Sequence, residues 1–196
     1  AGTSEAIYAF SANKEELWKL SGVNVTEQGT FALNGNTLYA TLKSKAGLVA
    51  VDITNGTKKW TYPTTGGDAY FPIVDKKGVV YFTEKGSQTV YAVDADGSKV
   101  WVKKVNNNLN YSGAVLSTDG VLYIGTQSNN KIFGLNTADG STVYEESVGQ
   151  QVMASVSIGP DKRLYCGTIG ASNIGSIKAF DINKTLETDS WSIRGG

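Results

Sequence analysis

The sequence predicts an all-β protein: a β-propeller of four-stranded antiparallel blades, about four and a half of them in 196 residues. Three observations lead there. Tyr39, Tyr81, Tyr123 and Tyr165 recur every 42 residues, each in an apolar run introduced by a turn: GNTLYAT, KKGVVYFT, TDGVLYIGT and PDKRLYCGT. A second apolar run follows each one, passes through an acidic or amide residue and a turn, and closes on an aromatic. The closing residues are Trp60, Trp101, Tyr144 and Trp191, with Trp18 closing a fifth run at the start. Finally, no useful stretch has the 3.6-residue periodicity of helical arrays, so a period of roughly 40 to 45 residues reads as short strands in propeller blades.

In chain order, residues 1–21 read as a half blade, because Gly2-Thr3 aligns with Gly125-Thr126 and Gly167-Thr168 at the end of a second strand. Whole blades follow over 22–64, 65–106, 107–149 and 150–196. Asn34-Gly35 and Asn55-Gly56 mark tight hairpins, since both residue types accept positive φ. Second strands such as VVYF and VLYI are nearly continuous apolar runs, as expected of strands buried on both faces. Fourth strands such as KKWTYP and KVWVKK set one aromatic among lysines, which predicts a half-wet outer strand with its ring folded against the next blade. The expected strands do not divide by four and the two ends do not complement each other. The reading is therefore of the C-terminal part of a seven- or eight-bladed propeller, with an unusual small propeller, or an open array whose ends a second copy covers, as the alternatives.

Bulk properties narrow the function classes. Eighteen basic residues balance 18 acidic ones, so total charge offers no electrostatic footprint for a nucleic-acid partner. No apolar run approaches the roughly 18 residues of a membrane span. A single cysteine excludes an internal disulfide, and the lack of histidine argues against zinc, copper or haem and rules out a histidine-dependent triad. Cys166 occupies the place of Ile124 and reads as a core residue. Asp94-Ala-Asp-Gly97 lacks the rest of a calcium loop and reads as a turn. Asp68, Glu84, Asp119 and Asp161 lie in or near connections and read as surface turns rather than paired catalytic carboxylates.

Two residue sets are singled out. Asp52, Asp94, Asn136 and Asp181 precede the turn before each closing aromatic. As Asx-turn acceptors they would fix where the ring lands, Trp60 or Trp101 for example, in blade docking. Tyr62, Tyr70, Phe71, Asn108, Tyr111 and Gln151 fall in or near the connections between blades and form a candidate amide-and-aromatic binding rim for a peptide or a sugar.

VLYIGT at Val121, VYAVDADGSKVW at Val90 and LVAVDITNGTKKW at Leu48 resemble the PQQ-like repeat of quinoprotein alcohol dehydrogenases and their non-enzymatic relatives, and the resemblance spans nearly the whole chain. Departures are Tyr144 for Trp, Asn136 for Asp, Lys178 for the aromatic, and a stretched spacing from Asp181 to Trp191. The enzymes resemble one another in a calcium-bound quinone, an aspartate base and a tryptophan floor. No residue here matches those motifs, so no catalytic, metal or cofactor residue is assigned. The resemblance implies the non-enzymatic branch: an extracytoplasmic scaffold, in the periplasm or on the cell surface, that binds a protein partner, its own remaining blades or another copy. A degenerate quinoprotein dehydrogenase and a carbohydrate-binding propeller are the alternatives.

Overall fold

The computed structural model describes residues 1–3, 5–27, 30–105, 109, 112–170 and 172–188, and every regular element among them is a strand. An N-terminal hairpin pairs β1 (Ala6–Phe10) with β2 (Glu16–Ser21). Three four-stranded antiparallel meanders follow. The first holds β3 (Phe31–Asn34), β4 (Thr37–Leu42), β5 (Gly47–Asp52) and β6 (Lys58–Tyr62). The second holds β7 (Ala69–Val74), β8 (Val80–Glu84), β9 (Thr89–Val93) and β10 (Lys99–Lys104). The third holds β11 (Val115–Leu116), β12 (Val121–Gly125), β13 (Lys131–Asn136) and β14 (Thr142–Ser147).

In the last sheet the first strand is split into β15 (Gln151–Val152) and β16 (Ser157–Ile158). Both pair with β17 (Arg163–Ile169), which pairs with β18 (Gly175–Asp181). The fourth strand expected at Trp191 lies outside the described residues.

Burial runs across each sheet. Strands β7, β8 and β9 are buried throughout, whereas β2, β6, β10 and β14 are largely exposed. The apolar clusters lie between sheets rather than within them. Ile7, Trp18 and Leu20 of the hairpin pack on Val49 and Val51. Tyr39 and Ala50 meet Phe82 and Tyr91, Tyr81 and Ala92 meet Leu122 and Leu135, and Tyr123 meets Leu164 and Cys166. Sheets stacked face to face, with first strands inside and fourth strands outside, are propeller blades.

The fourth strands share a device that the alternation of strand residues alone would not provide. Each has a one-residue register shift just before its aromatic, so that Leu17, Lys59, Val100 and Val143 are left without a partner. A bulge re-aims the next side chain. Trp18, Trp60, Trp101 and Tyr144 then fall opposite the small residues Ala9, Ala50, Ala92 and Gly134.

Each indole reaches the next sheet's turn between third and fourth strands. Trp18 Nε1 donates to Ile53 O at 2.7 Å, Trp60 Nε1 to Ala95 O at 2.9 Å, and Trp101 Nε1 to Thr137 O at 2.9 Å. Under each ring lies a glycine of left-handed φ, Gly56, Gly97 or Gly140, whose absent Cβ would stand 2.7 to 3.0 Å from ring carbons. The turn therefore needs glycine twice, for its φ and for ring contact.

Asp52 shapes its turn by accepting from Thr54 N (2.9 Å) and Thr54 Oγ1 (2.6 Å), bonds that hold its carboxyl below the usual value. Asp94 accepts from Ala95 N at 2.7 Å and Asn136 from Ala138 N at 2.9 Å. These turns differ from the expectation in one respect. The turn at Asp94 seats Trp60 of the preceding blade, not its own Trp101, because strand 4 leaves the turn heading away and its ring leans across to the neighbour.

Replacing Trp101 with Ala is expected to cost about 3–5 kcal/mol in a denaturant titration, as large-to-small changes of buried aromatics do. Gly140→Ala is expected to cost about 1–3 kcal/mol through ring overlap and φ strain. The double variant should lose less than the sum, because both changes dismantle one contact; additive losses would refute the shared seat.

Candidate functional site

The upper end of the molecule carries the turns between second and third strands and the connections between blades. Its best-fixed point is Glu84, fully buried where the other repeats have Leu42, Thr126 and Thr168. Its carboxylate accepts from Gly66 N, from Gly67 N (2.5 Å), from Ser87 Oγ (2.5 Å) and from Tyr91 OH. Four donors on one carboxylate satisfy a buried charge and tie the loop joining the first two whole blades to the β8–β9 turn. The sequence reading of Glu84 as a surface-turn residue is thus corrected.

The described aromatics of the expected rim, Tyr62, Tyr70 and Phe71, are turned inward. Phe71 is 2% exposed, in left-handed backbone (φ 54) at the bulge of β7, and Tyr70 beside it is also buried. Tyr62 lies edge-on to Phe82 and Tyr91, with ring centroids 6.4 and 6.0 Å away. Tyr62 packs on the cluster between the first two whole blades, while Tyr70 and Phe71, with ring centroids 5.7 Å apart, sit at the β7 bulge, which changes the face their side chains serve. Asn108 and Tyr111 lie outside the described residues.

Gln151 of the rim set faces a cleft. It lines a space of about 520 Å³ with Ser128, Asn130, Gln150 and Asn173, all uncharged hydrogen-bonding side chains. Gln150 is oriented there, its Oε1 accepting from Thr168 Oγ1 at 2.8 Å and Ser176 Oγ at 3.0 Å.

At the lower end the last blade departs from the tight turn between third and fourth strands seen in the preceding sheets. Asp181 forms no tight turn; it pairs with Arg163 Nε at 3.1 Å, and residues 182–188 cross to the inner edge of the third sheet. Thr118 N donates to Thr185 O at 2.9 Å, Glu187 N donates to Leu116 O at 3.0 Å, and Leu186 bridges Ser117 between them. Lys184 Nζ pairs with Asp119. The Glu187 carboxylate accepts from Lys76 N, in the β7–β8 turn, at 2.8 Å.

This strap leaves Tyr144 without the turn that Trp18, Trp60 and Trp101 each cover. A cleft of about 410 Å³ opens there, between Tyr144 and Val143 on one side and Asp181 and Ile182 on the other. Sequence reasoning registered the strap only as a stretched spacing. Lys184 and Glu187 carried no signal beyond it.

With the fold and these surfaces described, likeness to other proteins can be placed. The family model described as outer membrane protein assembly factor BamB matches residues 3–159. The chain belongs to this family of PQQ-like propellers. No curated protein sequence matches it. The crystal structure of BamB from Moraxella catarrhalis superposes with a TM-score of 0.75 at 16% identity, covering 93% of this chain and 54% of that one. A chain of the mitotic checkpoint complex gives 0.72 at 16% identity, covering 93% and 58%. The computationally designed Ika8 protein gives 0.69 at 14%, covering 87% and 50%. At these identities the likeness is one of fold, and the chain spans about half the length of these three solved proteins.

Glu84→Leu, which copies the first repeat's Leu42, is expected to destabilise the protein by about 2–4 kcal/mol, since it strands four donors, two of them backbone amides. Chemical denaturation measures it, and a neutral result would remove Glu84 as the anchor of this loop.

The strap should also respond to acid. Burial opposes ionisation of Asp119, but hydrogen bonds from Lys184 and Ser117 and the Lys184 charge outweigh it, leaving the carboxyl below its ordinary value. A depressed carboxyl stabilises above its unfolded pKa, about 3.9, and that contribution is lost as pH falls through the lower folded value. Exchange of the Thr118 amide, corrected for intrinsic rate, should therefore rise below about pH 4 in wild type and not in Asp119→Asn.

Proposed function

We propose that this chain acts as a non-catalytic β-propeller scaffold on the extracytoplasmic side of a cell envelope, presenting its loops and strand edges to protein partners in outer-membrane protein assembly. The family match over residues 3–159 carries this reading.

The end faces support a place within a larger ring. On the outward face of the last sheet Tyr165 pairs with Ala179, repeating the pairs Tyr39 with Ala50 and Tyr81 with Ala92 that neighbouring sheets bury. Ile177, on the same face, is 80% exposed. At the other end Tyr8 and Phe10 occupy the places of Tyr91 and Val93, which receive the preceding sheet. Further blades, completing seven or eight at roughly 40 to 45 residues each, fit both faces; a second copy is the other occupant. The uncharged cleft at Gln151 favours one additional role, holding a neutral hydroxyl-rich ligand such as a glycan, which a glycan array tests.

Deleting the parent gene is expected to lower the amount of folded outer-membrane β-barrel proteins and to sensitise cells to detergent, with complementation restoring both. Normal barrel levels would overturn the assembly role. Calcium plus quinone is expected to leave the melting temperature unchanged; stabilisation with a quinone absorbance band would favour the dehydrogenase alternative instead.

A further inference from the structure

Among the described residues, the strap adds a strand to the inside of the chain's own propeller. In the sheets of β3 and β7 the first strand is the terminal member of the hydrogen-bonded ladder. At β11 that same edge is taken by Thr185 to Glu187, in antiparallel register with Leu116 to Thr118. Side chains alternate along the segment as in an edge strand: Ile182 and Leu186 pack on the cluster of Val115, Tyr123 and Ile158, while Asn183 and Thr185 are exposed. Its ends are fixed by charge-bearing groups, Lys184 on Asp119 and Glu187 on the Lys76 amide.

We infer that the inner edge of β11, bounded by the Asp119 turn below and the Lys76 turn beside it, is a peptide-binding track, and that the strap is its intramolecular occupant. The partner it fits is an extended protein segment carrying a basic residue, an apolar residue two positions later and an acidic residue immediately after, the pattern of Lys184, Leu186 and Glu187. Strand addition supplies main-chain bonds whatever the sequence, and the flanking pockets select side chains. Asp119 selects the cation, the apolar wall the middle residue, and the free amide of the turn the carboxylate.

The resident segment makes two main-chain hydrogen bonds to Leu116 and Thr118, a hydroxyl contact between Thr185 and Thr118, the bond from the Lys76 amide to Glu187 and an ion pair whose members are both more than a third exposed, the kind that adds little. Tethering compensates, because a linked segment acts at an effective concentration in the millimolar range. A free peptide therefore competes poorly until the strap is weakened. The inference rests on the strap's geometry and not on the outer-membrane assignment, so it is tested with purified protein, apart from any cellular phenotype.

The probe is a fluorescein-labelled synthetic peptide with the sequence of residues 182–188, measured by fluorescence polarisation against the full chain and against the Lys184→Ala/Leu186→Asp variant, whose changes spare the track. The variant is expected to bind at least about tenfold more tightly than the unaltered chain, the strap's effective concentration being removed. A peptide with glutamate in place of its lysine should lose that binding. Equal binding, or none to a folded variant, overturns the proposal. Should the variant fail to fold, hydrogen exchange on the unaltered chain decides. Excess peptide should speed exchange of the Glu187 amide while the Thr118 amide stays protected, and unchanged Glu187 exchange would overturn the inference.

Discussion

The contact on which the rest of this structure depends is an indole lying on a glycine of the next blade. Face-to-face sheets slide easily, because an apolar interface specifies area better than position. The tryptophan removes that freedom in two ways. Its ring fits only where no Cβ intervenes, and its Nε1 finds one carbonyl in the turn beyond, at 2.7 to 2.9 Å in three successive seams. The hydrogen bond adds about 1 kcal/mol and the buried ring considerably more, but the larger consequence is registration. Each blade is indexed against its neighbour by a side chain that a bulge has turned out of its strand's normal alternation.

That indexing explains why so much of the repeat is turn chemistry. The aspartates and Asn136 have no part in the apolar clusters; they hold a turn whose glycine must stay flat and whose carbonyl must point outward. Asp75 performs the analogous task at the turn between first and second strands. It accepts from Lys77 N and Val79 N, both at 2.9 Å, and from Tyr81 OH at 3.0 Å. Burial and that neighbouring carboxylate raise the Tyr81 phenol far above its ordinary value, so the ring remains a neutral donor at any physiological pH. Loop, strand and seam are thus joined through one carboxylate.

What the sequence made legible follows from this division. Period, strand order and the aromatic-to-turn spacing were readable because they repeat, and repetition averages out local accident. Features that occur once were not readable. Glu84 looked like a solvated loop acid, since nothing in EKGSQ tells a carboxylate buried among four donors from one in water. Tyr70 and Phe71 looked like a rim because they adjoin Gly66-Gly67-Asp68, yet the bulge in β7 that turns them inward depends on a left-handed Phe71, a conformation its residue type gives no reason to expect. Cys166 was readable for the opposite reason: it shares a register with Ile124 in a strand whose buried face is set by its neighbours.

Tyr144 at the end of the third sheet and the strap of the last one have a common cause. A tryptophan at position 144 would need a glycine turn after β18 to lie on, and the segment there has no glycine between Asp181 and Trp191. It instead runs from Asp181 to the inner edge of β11, where its carbonyl and amide find ladder partners. Tyr144 is the residue compatible with that route: its ring still meets Tyr123 edge-on, with centroids 5.5 Å apart, but it makes no demand on a turn that is absent. Loss of the indexing indole and gain of the strap are therefore one structural change. It exchanges a seam held from outside for one stitched from within, since Lys184 and Glu187 bind the fourth repeat to the third and second together. The cleft beside Tyr144 is the space left where the usual ring would have been.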